Sequence, residues 1–318
     1  MWLHLAVPTL ERVLEVTANG VVYSSIIVLG AIGLSLVYSI ANFANFAHGD
    51  TMTVGAYGAL VAFGITGSIG VSILGLPLGF FVALVVGIVT AAVVALATER
   101  IVYRPLEVGR LGLLITSIGL AFVYRGLIQL YFGADVHRYD IPSLPPIDWL
   151  VEYGIRINSH DVTIVITAAS LVASLHVLLQ YTDFGRKMRA MADNPNLARV
   201  SGIRTRRVLL ATWAIGAGLA GAAGVFLGLY NQLVPRMGFN VLLVVFAAVI
   251  LGGIGSVYGA MLGGFLIGMI VQMTPLLGAF GLPIGSEYAE ALAFLVMVAV
   301  LLVRPSGIAG QVIDQGGG

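Results

Sequence analysis

Long apolar runs separated by short polar breaks set the pattern of the chain. Nine of them, at 19–40, 51–68, 71–97, 111–132, 162–180, 208–229, 241–257, 259–277 and 287–303, approach the span of about 20 residues that a helix needs to cross a hydrocarbon core. The stretch 241–277 also reads as a re-entrant hairpin. The alternating strands of about ten residues that a membrane barrel requires are not in the pattern. The expectation is an all-α, polytopic transmembrane helix bundle of about eight to nine spans, with broken helices or a re-entrant hairpin. Ahead of the first run, Trp2, Leu5, Leu10, Val13 and Leu14 form one face of a helix expected at the interface. This opening stretch lacks a basic n-region, and His4, Pro8, Glu11 and Arg12 interrupt its apolar residues, so it does not read as a cleavable signal. The expected organisation is an interfacial helix over 1–18, one transmembrane domain over 19–305, and a flexible tail over 306–318.

Composition sharpens the class. Hydrophobic residues make up 59% of the chain, charged residues only 10%, and the mean hydropathy is +1.01. A soluble domain carries about 25% charged residues, so this chain cannot face water on all sides. The net charge of +1 gives no reason to expect nucleic acid. With no cysteine, disulfides, thiolate metal sites and thiol catalysis are excluded.

The charges are unevenly placed. Asp183 to Arg207 forms a polar island carrying Arg186, Lys187, Arg189, Arg199, Arg204, Arg206 and Arg207 against Asp183 and Asp193. Basic loops stay on the cytoplasmic side, so the island is expected there. Arg100, Arg104 and Arg110 mark a second cytoplasmic loop, and Arg304 a cytoplasmic C-terminal end. The loop 133–160, with Asp135, Asp140, Asp148 and Glu152 against Arg138 and Arg156, suits the outside. Parity then puts the N-terminal end outside. Within the island Met188, Met191, Leu197 and Val200 form the apolar side of a short amphipathic helix. Pro195 restarts that helix with Asn194 as its cap, and Gly202 stops it. The island is either a solvated loop or a docking helix for a cytosolic partner.

Two polar breaks stand out within the apolar pattern. Ala41 to Asp50 brings Asn42, Asn45, His48, Gly49 and Asp50 together between the first two runs. An ionised aspartate at the bilayer centre costs about 2.5–3.5 kcal/mol on insertion scales, so Asp50 lies at a membrane edge or lines a protein-enclosed cavity. Leu251 to Gly264 is dense in glycine, with Gly252, Gly253, Gly255 and Ser256 at its start. Such backbone is tolerated at membrane depth only around a protein-lined cavity, and paired interrupted segments point to a translocation path. Arg125 and Gln129 lie one turn apart in the fourth run, where Arg125 faces inward or snorkels to the surface. The four-residue repeats Ala220, Gly224, Gly228 and Gly255, Gly259, Gly263 are expected on helix-packing faces.

Three separated motifs, Asn45-Phe46-Ala47-His48-Gly49, Gly185 to Ile203, and Leu251 to Gly264, together resemble the LivH-type inner-membrane permeases of ABC importers for branched-chain amino acids, over roughly residues 20–305. The resemblance implies a permease in the cytoplasmic membrane that pairs with a second, related permease. It further implies two cytosolic ATPase subunits and an extracytoplasmic binding protein that delivers substrate. By the same resemblance Gly185, Arg186, Arg189, Ala190, Asp193, Asn194, Ala198 and Gly202 belong to the segment that couples to an ATPase. Asp50 departs from the family pattern, in which glutamate more often follows the His-Gly pair. Related permeases for urea and short amides share these motifs.

Other classes fit less well. A phosphate-binding loop needs glycine before a lysine and Ser or Thr after it, but Lys187, the sole lysine, stands between Arg186 and Met188. ATP-driven transport therefore needs ATPase subunits in trans. Ser256 lacks the glycine two positions earlier of a nucleophile elbow, and His48 with Asp50 are too few for a metal site, so neither an enzyme nor a bound cofactor is expected. A secondary transporter or channel would share the broken helices but has no need of a basic docking helix.

Overall fold

The structure, a computed structural model, describes residues 10–67, 70–142, 144–279 and 285–310. Trp2 and Leu5 of the expected interfacial helix, and residues 311–318 of the expected tail, lie outside the described residues. The apolar runs become helix apart from residues 71–77 and 253–256. The order is α1 Leu10–Ala41, α2 His48–Thr66, α3 Leu78–Thr98, α4 Arg110–Phe132, the short α5 Asp148–Val151 and α6 Ser159–Tyr181. Then come α7 Asp183–Asp193, α8 Pro195–Val200, α9 Thr205–Tyr230, α10 Met237–Gly252, α11 Val257–Ala279 and α12 Ala289–Val303. A two-residue antiparallel ribbon, Ser72–Ile73 with Leu76–Pro77, turns the chain between α2 and α3.

Among the described residues seven helices are long and apolar enough to cross a membrane. α2 and α10 are not among them. α10, with 16 residues, is about 24 Å long, shorter than a hydrocarbon core of about 30 Å. α1 runs without a break from Leu10 through residues 18 and 19, where a boundary was expected. Its apolar window is 89% buried and that of α9 is 72% buried, against 17–39% in the other five. α1 and α9 are therefore the axis of the bundle, while α4, α6 and α12 turn apolar residues such as Leu130, Val177 and Leu302 outward.

Small residues bring the backbones together. A Cβ on Gly33 of α1 would stand 2.5 Å from the carbonyl oxygen of Gly216 on α9, and one on Gly224 of α9 would stand 1.9 Å from that of Met52 on α2. Gly259 and Gly263 of α11 meet Gly252 and Ala248 of α10 in the same way. The expected small-residue faces thus pack on other helices, except that Gly228 meets Leu233 and Tyr139 of two loops and Gly255 lies in the turn before α11.

The two ends of the bundle separate by charge. Glu11 at the start of α1 lies against Gly154, so the N-terminal end and the acidic loop share one end. At the opposite end, Arg206 at the start of α9 holds Glu99, just after α3, through bonds of 2.7 and 3.0 Å. The residues after α12 return to this end. Ile308 and Ala309 donate backbone hydrogen bonds of 2.8 and 2.9 Å to the carbonyls of Leu251 and Gly252, satisfying the last turn of α10. The stretch 306–310 is therefore docked on α10.

Candidate translocation site and coupling surface

α1 ends at Ala41 and α2 restarts at His48, and the six residues between are pinned on every side. Asn42 takes a positive φ of 58°, a conformation that asparagine tolerates, and reverses the chain. Phe43 packs against Tyr103 and Trp213, with ring centroids 5.2 and 6.2 Å away. The side-chain oxygen of Asn45 accepts from the backbone of Ala47 at 3.1 Å and from the Tyr103 hydroxyl at 3.3 Å. The backbone N–H of Phe46 donates to Ser117 of α4 at 2.9 Å. Asn45 and His48 are buried, so these bonds replace the water their polar atoms have lost.

The first turn of α2 carries the chemistry. His48 Nε2 lies 2.9 Å from the carbonyl oxygen of Gly30, which only accepts, so that nitrogen carries the hydrogen. Gly49 crosses Gly238 at the start of α10, where a Cβ on Gly238 would stand 1.8 Å from the Gly49 oxygen. The Gly238 N–H donates to Thr53 at 3.1 Å. Asp50, fully buried, receives two hydrogen bonds from Arg125, Nε to Oδ1 at 3.2 Å and Nη2 to Oδ2 at 3.1 Å. The ring centroids of Phe239 and Phe122 lie 4.5 and 5.4 Å from the Arg125 guanidinium carbon. Asp50 is about 24 Å along α2 from the end at Thr66, deep in the bundle rather than at its rim. Of the two placements the sequence left open for each residue, Asp50 is enclosed by protein and Arg125 faces inward, only 8% exposed.

Two short helices, α2 and α10, therefore start at one crossing inside the bundle, with an ion pair beside it. Asn45, His48, Gly49, Asp50 and Arg125 are brought together. Gly252, Gly253, Gly255 and Ser256 are not. They form the α10–α11 turn at the arginine-rich end, where Gly253 has φ 105° and packs on Gly310. Ser256 accepts there from the Gly259 N–H at 3.0 Å and caps α11. The broken segment that faces residues 41–50 is thus the start of α10, not the glycine-rich turn. Gly238 and Phe239 carried little signal, being a small and an aromatic residue at the edge of an apolar run. Ser117, Tyr103 and Glu99 were equally hidden, each being one polar residue among many near a helix end. Among the described residues no cluster of three His, Asp or Glu side chains is arranged to hold a metal ion.

The polar island folds as α7 and α8. Thr182 caps α7, accepting from Gly185 at 3.0 Å, and Asn194 caps α8, accepting from Leu197 at 2.9 Å, with Pro195 in the first turn. Gly202, at φ 81°, ends the segment. Gly185 lets α7 lie on the last turn of α6, where a Cβ would meet the carbonyls of Leu178 and Leu179 at 2.3 Å. Met188, Met191 and Ala198 are buried against the bundle. Leu197 and Val200, expected on the same side, are instead 63% and 86% exposed, because Asn194 and Pro195 reset the helix direction before them. Arg186 pairs with Asp183 on the surface, and Arg189 donates to the Leu179 carbonyl at the end of α6. Ala190 is half-buried, and Asp193 and Asn194 are exposed. The segment thus divides into a packed underside and an outer face of Lys187, Leu197, Arg199 and Val200.

An all-helical bundle with two helices starting at an internal crossing, enclosed polar groups and an exposed basic segment at one end has the architecture of a membrane transport permease. The family model described as "Branched-chain amino acid transport system / permease component" matches residues 16–301, and the chain belongs to this family. It is 34% identical over 304 residues to the high-affinity branched-chain amino acid transport system permease protein LivH of Escherichia coli K12, covering 92% of this chain and 94% of that one. It is 32% identical over 311 residues to BraD of Pseudomonas aeruginosa, a permease protein of the same description, covering 96% and 98%. The probable LivH of Methanocaldococcus jannaschii is 31% identical, covering 92% and 91%. Among solved structures, PsaBC from Streptococcus pneumoniae in complex with Fab aligns over 92% of this chain and 91% of its own, with a TM-score of 0.50 and 12% identity, a likeness of fold alone. The chain is thus a multi-pass protein of the cytoplasmic membrane and a transport subunit rather than an enzyme.

Proposed function

We propose that this chain is one permease subunit of an ABC importer that moves branched-chain amino acids, or closely related hydrophobic ones, into the cytoplasm. The observation that carries the reading is the identity of 32–34% to BraD and LivH over 92–96% of the chain. The subunit pairs with a second, related permease, and two cytosolic ATPases drive the pair. An extracytoplasmic binding protein supplies substrate and most of the selectivity. The ATPase docks on the outer face of α7 and α8, where Leu197 and Val200 offer an apolar knob ringed by Lys187 and Arg199. Its motion pushes α7, and through Gly185 and the Arg189 bond the end of α6, against the bundle. The crossing of α2 and α10 at Gly49 and Gly238 lies on the path, and access switches between two rigid packings of these helices. The glycine turn at Gly252 and Gly253 acts at a distance, by holding α10 to α11 and to the residues after α12.

Competition for uptake tests the substrate. Unlabelled leucine, isoleucine and valine are expected to suppress uptake of radiolabelled leucine by cells expressing the complete system, while urea leaves it unchanged. Suppression by urea and not by the amino acids would move the assignment to the amide permeases.

A further inference from the structure

At the end of the bundle opposite α7 and α8, the α9–α10 connection meets the loop that follows α4 around a cavity of about 450 Å³. That volume is within the range of roughly 300–1,000 Å³ in which small-molecule sites fall. Arg138, Asn231 and Asn240 line it together with Leu227 and Val241. Its walls are held rigidly. His137 and Leu233 exchange two backbone hydrogen bonds of 2.9 Å, joining the two loops as a bridge. Tyr139 is buried and its hydroxyl donates to the Ala56 carbonyl at 3.0 Å. Arg138 is the residue between these two anchors, so its backbone is fixed on both sides. Among the described residues its guanidinium makes no ion pair and no hydrogen bond, unlike that of Arg125 or Arg206. Met237 also lines the cavity, and the next residue, Gly238, is the one that crosses Gly49. One lining residue of the cavity is therefore the chain neighbour of the helix crossing.

The chemistry of the lining matches one kind of ligand. A guanidinium offers a planar fork of donors to a carboxylate. Amide oxygens of asparagine accept from an ammonium group. Leu227 and Val241 offer an apolar wall to a branched aliphatic side chain. We propose that this cavity is an entry site that receives a zwitterionic aliphatic α-amino acid, its carboxylate on Arg138, before it reaches the crossing of α2 and α10. The proposal rests on the importer reading above, which makes this end of the bundle the external one.

The chain has no cysteine, so Gln232→Cys at the cavity rim gives this subunit a single thiol. The test uses the complete transporter in proteoliposomes and follows labelling of that thiol by a membrane-impermeant maleimide. L-leucine is expected to slow labelling, and L-leucinol, which lacks the carboxylate, is not. Adding Arg138→Gln is expected to raise the half-protecting leucine concentration about tenfold or more, the range of a lost charged hydrogen bond. Arg138→Lys is expected to recover part of the loss. Labelling indifferent to leucine, equal protection by leucinol, or unchanged protection with Arg138→Gln would each overturn the proposal. In the otherwise unaltered chain, Arg138→Gln is expected to lower leucine uptake about tenfold at limiting substrate while the binding protein still co-purifies. Unchanged uptake, or loss of the binding protein, would also overturn it, the latter by making Arg138 a protein-docking residue. The parent transporter is assayed for leucine uptake in parallel, so failure of the importer reading is visible separately from failure of the site.

Discussion

Arg125 on α4 closes on Asp50 in the first turn of α2, Nε to Oδ1 at 3.2 Å and Nη2 to Oδ2 at 3.1 Å, and Phe239 of α10 lies against its guanidinium. One ion pair thus ties three helices at the point where α2 and α10 begin. Both charges are buried, and each satisfies the other. Removing one leaves its partner charged and unpaired in a buried site, a loss of about 3–5 kcal/mol in typical buried pairs.

Asp50→Leu and Arg125→Met are therefore each expected to lower the thermal unfolding midpoint of the purified complex. The joint variant Asp50→Leu with Arg125→Met is expected to lie nearer the parent than either single change, because it leaves no orphaned charge. Thermal unfolding followed by size-exclusion chromatography measures this. Additive losses would contradict the pairing.

Gly238→Ala places a Cβ 1.8 Å from the Gly49 carbonyl oxygen, so α2 and α10 must separate. Transport is expected to be lost. Gly119→Ala, on α4 with open space around the new Cβ, is expected to be silent in uptake and to stabilise its helix by up to about 1 kcal/mol. Normal uptake with Gly238→Ala would show that close approach at the crossing is not needed.

Tyr139 ties the loop after α4 to Ala56, and burial pushes its hydroxyl above the usual tyrosine range. The folded-state value is the higher one, so this stabilisation is fully present below about pH 10 and is lost only as pH rises through the folded value. Tyr139→Phe is expected to cost about 1 kcal/mol, by the same amount from about pH 6 to 9. Unfolding midpoints across that range check it, and a gap that closes with rising pH within it would contradict the assignment.

On α7 and α8, the packed underside and the outer face predict different failures. Leu197→Asp is expected to abolish ATPase co-purification while leaving the subunit monodisperse, since Leu197 is 63% exposed. Met188→Asp puts a charge into a buried position and is expected to collapse the fold itself. Charge reversal at Arg186 is expected to weaken ATPase association. Reversal at Arg189 is expected also to disturb α6, because its guanidinium serves the Leu179 carbonyl. A pull-down with tagged ATPase, paired with size-exclusion chromatography, separates these outcomes.

The helices were legible because apolar runs of membrane length have few other interpretations, and the breaks were legible because asparagine, aspartate and glycine are costly inside such runs. Asn194, Pro195 and Gly202 announced the start and the stop of α8 for the same local reasons. What the sequence could not disclose was partnership across distance. Asp50 and Arg125 are 75 residues apart, and Glu99 and Arg206 are 107 apart. Nothing local in either sequence segment says which charge meets which. Glycine reports an unusual backbone without reporting its depth, so the glycine-rich turn and residues 41–50 read alike in sequence although they do not meet in the fold. Met237-Gly238-Phe239, which does meet Gly49 through Gly238, looks like the edge of an ordinary span.

In the proposed mechanism this subunit opens its path only when ATPases docked on α7 and α8 hydrolyse ATP. Proteoliposomes carrying the complete complex, with the loaded binding protein outside and ATP inside, test this through accumulation of radiolabelled leucine. Accumulation is expected with ATP, none with a non-hydrolysable analogue, and none when Leu197→Asp has removed the ATPases. Accumulation against a gradient by the permease subunits alone would contradict it.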